Sequence, residues 1–321
     1  MSRMQRVGVN ELPGHLDATY GIKVTRIEEL DLGVYRVDRH EGASWVARLF
    51  PAERPIEQTL GDAAILRFLA ELDYPAERCA TAEPVSILEG QSLLVTELVP
   101  GVPRTDRRVA IRNAGGLAML GWLLGYLHSL PITREAPRRP GGSWHHLADG
   151  APRNEIAALR KLLDEAKHRA DPSGADLYLT LAEKVSSLDD GDGLPESLVH
   201  PDFVLANVVA PPTGGLVVVD WAGAGRAPRT WSLAFLLWSV GLGGDLKRVD
   251  RTVAGYRRHI TPQPEELERL EALIRVRPIV FDTWAFCTGR KTLGQTTESI
   301  AASQDTAAAI ADRARTAFAG P

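Results

Sequence analysis

Leu198-Val199-His200-Pro201-Asp202-Phe203-Val204-Leu205-Ala206-Asn207 is the stretch whose reading decides the fold, and Asp220, thirteen residues beyond Asn207, completes it. Two apolar runs, Leu198 to Ala210 and Leu216 to Asp220, flank Pro211-Pro212-Thr213-Gly214-Gly215. β-Branched runs either side of a Pro/Gly cluster predict a hairpin that carries polar residues at its ends. The strand Leu216-Val217-Val218-Val219 then returns the carboxylate of Asp220 to the side of Asn207. Carboxylate and amide oxygens placed together suit a hard cation such as Mg²⁺. Asp202, on the same loop, can orient a hydroxyl and take its proton. An isolated Asp or Asn at a strand end reads more simply as a turn former, but His200, Asp202, Asn207 and Asp220 jointly favour chemistry. His200 reads as a structural member of the loop, its ring bonded to backbone or to Asp220.

Toward the amino terminus the texture is that of a sheet. Val34-Tyr35-Arg36-Val37 and Trp45-Val46-Ala47-Arg48-Leu49 are β-branched or aromatic, and three short antiparallel strands are expected from Gly21 to Phe50. Asp31-Leu32-Gly33 and His40-Glu41-Gly42 supply the turns. A helix is expected from Ile56 to Leu72, with Leu60, Ala64, Leu66, Leu69 and Leu72 as its apolar positions. Two more strands, Pro84 to Leu88 and Ser92 to Leu98, flank Glu89-Gly90-Gln91. Beyond Pro103 helices are expected over Asn113 to Leu130, Asn154 to Ala170, Ala175 to Leu188, Trp231 to Leu242, Pro264 to Val276 and Thr306 to Ala319. Pro131 to Arg153 and Asp189 to Pro195 read as loops, the first long enough to be functional.

With 321 residues, 44% of them apolar, the chain can bury a large core. A net charge of −4 and the absence of a basic stripe interleaved with aromatics argue against a nucleic-acid partner. No apolar leader and no run of about 18 apolar residues is present, so a cytoplasmic protein with no membrane partner is expected. Cys79 and Cys287, far apart, read as ordinary thiols. Of 37 basic residues only six are lysines.

His-x-Asp-x-x-x-x-Asn is also the spacing of the protein-kinase catalytic loop. The chain resembles the aminoglycoside phosphotransferase family, which includes choline kinase-like and other small-molecule kinases. That family's His-Gly-Asp, Asn and Asp-Trp or Asp-Phe read here as His200-Pro201-Asp202, Asn207 and Asp220-Trp221, and Leu120 to Leu130 is similar to its helix ending in Leu-His. The likeness runs from about Val24 to about Leu237.

The resemblance implies an α+β, two-lobed protein-kinase-like fold. Residues 1–99 would form a nucleotide-binding N-lobe of antiparallel sheet plus one helix, and residues 100–321 a mainly helical C-lobe with the catalytic loop and acceptor site. It implies transfer of the γ-phosphate of ATP or GTP to a hydroxyl of a small molecule. In that scheme His200 and Asp202 belong to the catalytic loop, with Asp202 as base, and Asn207 and Asp220 are Mg²⁺ ligands. Arg48 stands where the family has a phosphate-gripping lysine, and Asp62 where a helix glutamate pairs with it, Glu57 being the competing partner. Glu97, Leu98 and Val99 resemble the hinge whose backbone holds the nucleotide base, and Gly101 would permit lobe movement.

Three positions depart from the family. Arg can bind phosphate bidentately but is not equivalent to Lys, and Asp62 is one methylene shorter than Glu while Arg48 is longer than Lys, which could preserve the pair's span. Pro201 replaces a glycine and fits only where no positive φ is needed. The turn Leu30 to Val34 has one glycine and no Gly-x-Gly-x-x-Gly signal.

Blander readings apply elsewhere. Trp221 reads as packing, Gly223 and Gly225 as turn geometry, and His145 and His146 beside Trp144 as solvated loop residues. Asp282, near Trp284, is a candidate acceptor-site residue, or a buried helix residue paired with Arg277 or Arg290. Phosphorylation of an aminoglycoside or other antibiotic is the first acceptor reading, and of an amino alcohol or sugar the second. A nucleotide-binding pseudokinase is the rival from another class, suggested by Arg48 and Asp62 and opposed by the retained base Asp202. A kinase acting on proteins is disfavoured because no Asp-Phe-Gly or Ala-Pro-Glu follows the loop.

Overall fold

Alternation builds the amino-terminal sheet: Tyr35 and Val37 of β2 (Val34–Arg39) and Trp45 and Ala47 of β3 (Trp45–Leu49) are buried while their neighbours are not. The computed structural model describes residues 10–101, 106–131, 138–143, 150–170 and 174–320. With β1 (Val24–Asp31), β4 (Val85–Leu88) and β5 (Gln91–Glu97) these strands form one sheet in the order β1-β2-β3-β5-β4, every neighbouring pair antiparallel. The β1–β2 turn needs glycine: Gly33 sits at φ 71°, and a Cβ there would stand 2.7 Å from the Leu49 carbonyl oxygen.

An unexpected helix, α1 (Leu12–Tyr20), lies on one face of the sheet and buries Leu12 and Leu16 against Tyr35, Trp45, Leu93 and Val95. Two apolar residues four apart are too few to announce a helix of nine. The expected α2 is present (Ile56–Glu71), but its phase differs from the reading. Leu60 is 50% exposed and Ala64 is exposed, while Thr59, Asp62, Ala63, Ile65, Leu66, Phe68 and Leu69 are buried. Full burial of side chains such as Leu66 and Leu69 is worth about 1.5–3 kcal/mol each, and their phase turns Asp62 inward as well.

The remainder is mainly helical, giving the α+β class expected. The helix expected over Asn113 to Leu130 is α4 (Gly116–Ser129), and a short helix that was not expected, α3 (Arg107–Asn113), precedes it, with Gly115 at φ 94° between them. α5 (Pro152–Glu165), α6 (Ala175–Ser186) and α7 (Arg229–Gly241) follow the reading within a few residues, except that α5 stops short of Ala170. α8 (Lys247–Tyr256) was not expected. It packs on α4 at backbone contact, since a Cβ on Gly121 would lie 1.9 Å from Thr252 O and one on Gly255 1.8 Å from Ala118 O. α9 (Pro264–Cys287) runs through Pro278 well past Val276, and α10 (Leu293–Ala319) begins thirteen residues before Thr306, behind a capping box on Thr292.

The single expected hairpin resolves into two ladders. β6 (Glu196–Val199) pairs with β9 (Gly225–Pro228), and β7 (Val208–Val209) pairs with β8 (Val217–Val218). The loop from His200 to Asn207 therefore leaves one ladder and enters the other. Among the described residues no helix is long and apolar enough to cross a membrane.

Candidate active site

His200 fixes the loop's shape from within. Fully buried, it donates from Nε2 to the Val219 carbonyl (3.1 Å) and accepts the Asp202 N–H on Nδ1 (3.0 Å). Burial holds its pKa below the ordinary value, against the opposing pull of Asp220 and Asp202. The ring meets Trp221 edge-on at 4.8 Å, and Trp221 is itself buried, donating from its indole to Val218 O. Of the two partners expected for His200, backbone and Asp220, the structure has backbone.

Asp202 is partly exposed. The side-chain amide of Asn207 donates to its carbonyl (2.9 Å) and to Oδ2 of its carboxylate (2.8 Å). With its NH₂ engaged, the amide oxygen of Asn207 is the atom left to meet a cation. Arg277, buried on α9, donates to Pro201 O at 3.1 Å and pairs with Glu155, while Ser232 donates to His200 O at 2.7 Å. These residues brace the loop from below, and nothing in their local sequence signals it.

Asp220 adopts φ 70°, a left-handed conformation that a non-glycine residue rarely holds. Its Oδ1 pairs with Arg48 Nη1 at 2.8 Å, so the cation of β3 meets the carboxylate that follows β8. Its N–H donates to Oε1 of Glu77 at 2.7 Å. Glu77 is 8% exposed; its Oε2 accepts from Thr96 Oγ1 (3.0 Å) and its N–H donates to Val218 O (3.1 Å). Burial pushes its carboxyl up from the ordinary value, with Arg48 opposing. Sequence reasoning missed Glu77 altogether.

The expected pairing of Asp62 with Arg48 is not what the structure contains. Asp62 is completely buried and paired with Arg54 (2.8 Å) and Arg139, and its Oδ1 also accepts the N–H of Gly223 (3.1 Å). The phase of α2 puts it over the turn that follows Asp220, and the guanidinium of Arg54, stacked on Phe50 at 4.1 Å, reaches it first. Glu57, the alternative partner, is exposed.

At the hinge the amides of Glu97 and Leu98 are committed, to Arg78 O (2.8 Å) and Ser44 O (2.9 Å). Val99, the third residue of the stretch whose backbone groups were expected to hold the base, has no backbone partner for its amide among the described residues. Asp282 pairs with Lys291, not with Arg277 or Arg290, and Arg290 stacks over Trp284 at 4.4 Å. Trp144, His145 and His146 lie outside the described residues.

Asn207 and Asp220 thus offer an amide and a carboxylate oxygen. This hard donor set fits a cation such as Mg²⁺, which takes one or two protein ligands and completes its shell from phosphate and water. Among the described residues no group of three or more His, Cys, Asp or Glu is arranged to hold a metal.

A family model described as the phosphotransferase enzyme family matches residues 23–273. A search of curated proteins by sequence finds no significant match. Similar solved structures include a choline/ethanolamine kinase family protein from Mesorhizobium loti (TM-score 0.62, 15% identity, covering 96% of this chain and 98% of that one). A microcompartment-associated aminopropanol kinase superposes with TM-score 0.61 at 18% identity, covering 97% and 98%. A macrolide 2′-phosphotransferase from Brachybacterium faecium gives 0.54 at 20%, covering 98% and 99%. At such identities the likeness bears on the fold, which is that of the kinase-like phosphotransferases.

Proposed function

The chain belongs to the phosphotransferase enzyme family, and on that premise we propose that it moves the γ-phosphate of ATP or GTP onto a hydroxyl of a small molecule. One observation carries the reading: a partly exposed carboxylate, Asp202, is bonded to an amide, Asn207, whose oxygen remains for a cation, on a loop that His200 ties to the segment bearing Asp220 and its partner Arg48.

Asp202 accepts the proton of the acceptor hydroxyl as that hydroxyl's oxygen bonds to the γ-phosphorus and the bond to the bridging oxygen breaks, releasing the nucleoside diphosphate, and the Asn207 amide holds the carboxylate in place for that step. Asn207 and Asp220 would hold Mg²⁺, which when bound offsets phosphate charge. Arg48, released from Asp220, grips phosphate oxygens, and Val99 reads the base. His200, neutral and buried, moves no proton; it sets the loop. Asp62 does not touch the nucleotide in this scheme. It anchors α2 to the turn at Gly223.

The acceptor is a hydroxylated antibiotic or a metabolic amino alcohol or sugar. Asp282, the residue first considered for the acceptor site, is already paired with Lys291. The test is Mg²⁺-dependent turnover with ATP and GTP against aminoglycosides, macrolides, amino alcohols and sugars. Phosphorylation of one acceptor class is expected. Nucleotide binding without transfer to any of them would favour the pseudokinase reading, and no nucleotide binding would contradict the proposal.

A further inference from the structure

We infer that Glu77 is a positioning residue: by holding the backbone of Asp220, it sets the metal-dependent part of nucleotide binding. The inference rests on the function proposed above. A non-glycine residue at φ 70° persists only where its surroundings over-determine it. At Asp220 the backbone restraint is the bond from its N–H to Glu77 Oε1 at 2.7 Å.

Glu77 is suited to that task because it is anchored at several points. Val218 donates to Pro75 O (2.9 Å), Glu77 donates back to Val218 O (3.1 Å), and Thr96 Oγ1 fixes the second carboxylate oxygen (3.0 Å). The residue therefore joins β5 of the sheet to β8, the strand that delivers Asp220. The carboxylate of Asp220 is held by Arg48 alone among the described side chains. Once Arg48 turns to phosphate, the Glu77 bond is what keeps Asp220 in the same geometry. Support of a metal ligand from behind, by a residue that never touches the metal, is a common device.

The experiment is calorimetric binding of non-hydrolysable ATP and GTP analogues, in Mg²⁺ and in EDTA, to the parent chain, Glu77→Ala and Glu77→Gln. The parent should bind more tightly in Mg²⁺, and Glu77→Ala should lose about 10- to 100-fold of that gain with its affinity in EDTA unchanged. Glu77→Gln, whose amide oxygen can still accept the Asp220 N–H, should keep most of it. Should Glu77→Ala fail to fold, Thr96→Val removes only the hydroxyl on Oε2, and a partial loss confined to Mg²⁺ is expected. An undiminished Mg²⁺ gain in Glu77→Ala or, failing that variant, in Thr96→Val would overturn the inference. So would equal losses with and without metal, or a glutamine variant as weak as the alanine one. A parent chain whose binding ignores Mg²⁺ would instead bring down the functional reading itself.

Discussion

Asp62 and Asp220 are both aspartates held by arginine, yet their surroundings are opposite. The side chain of Asp62 has no exposure and is held by Arg54, 1% exposed, by Arg139 and by the Gly223 amide. That of Asp220 is 34% exposed and has one cation, Arg48, itself 16% exposed. A buried carboxylate with both oxygens engaged can fix a helix to a turn but is not free to exchange partners. A partly exposed pair loses less on opening, so in the proposed scheme its members pass to a cation and a phosphate. The residues expected as one ion pair, Arg48 with Asp62, are thus divided between the candidate site and an anchor.

The largest expected effect would break the anchor. Asp62→Ala leaves Arg54 buried without its counter-charge, and removing one partner of such a pair costs about 3–5 kcal/mol; Tm by calorimetry should fall while the folded fraction keeps its affinity for nucleotide. Asp220→Asn should do the reverse, with Tm nearly unchanged and kcat lower by about 10²–10³-fold. If both variants fail in the same way, the division between anchor and site is wrong.

Acid should cost stability by a route separate from either aspartate. His128 on α4, packed against Tyr256 and repelled by Arg229, has its pKa lowered from 6.5 to about 3, chiefly by burial. The unfolded state therefore binds the proton that the folded state refuses. Stability from this residue is fully present above pH 6.5 and is lost progressively as pH falls toward 3. Between pH 7 and 5 it should contribute a loss of about 2 kcal/mol, measurable by urea unfolding at several pH values and reduced in a His128→Gln variant. An unchanged pH slope in that variant would show that His128 does not carry it.

What could be read from the sequence was whatever short range decides. His200, Asp202 and Asn207 lie within eight residues, and Asp220 follows at the end of an apolar run, so their spacing alone places them together. The five strands and α2 follow from alternation, periodicity and Gly turns. Partner choice was not legible. Arg48, Arg54 and Arg139 all compete for two aspartates, and only the phase of α2 and the path of the loop through Arg139 decide among them. Glu77 meets a backbone N–H 143 positions away, which no local pattern encodes. α8 carries Val249, Val253 and Tyr256 at helical spacing, so its signal was present in the sequence though short. The extent of α9 was hidden by Pro278, which reads as a stop but is accommodated inside the helix.

The central claim, that Asp202 is the base of a phosphoryl transfer, is tested most directly by single-turnover transfer from γ-labelled nucleotide to the best acceptor, in the parent chain and in Asp202→Ala. Nucleotide affinity is measured on the same samples. The account predicts that transfer falls by at least about 10²-fold while nucleotide binding and Tm stay near those of the parent. Transfer at the parent's rate in Asp202→Ala would contradict it.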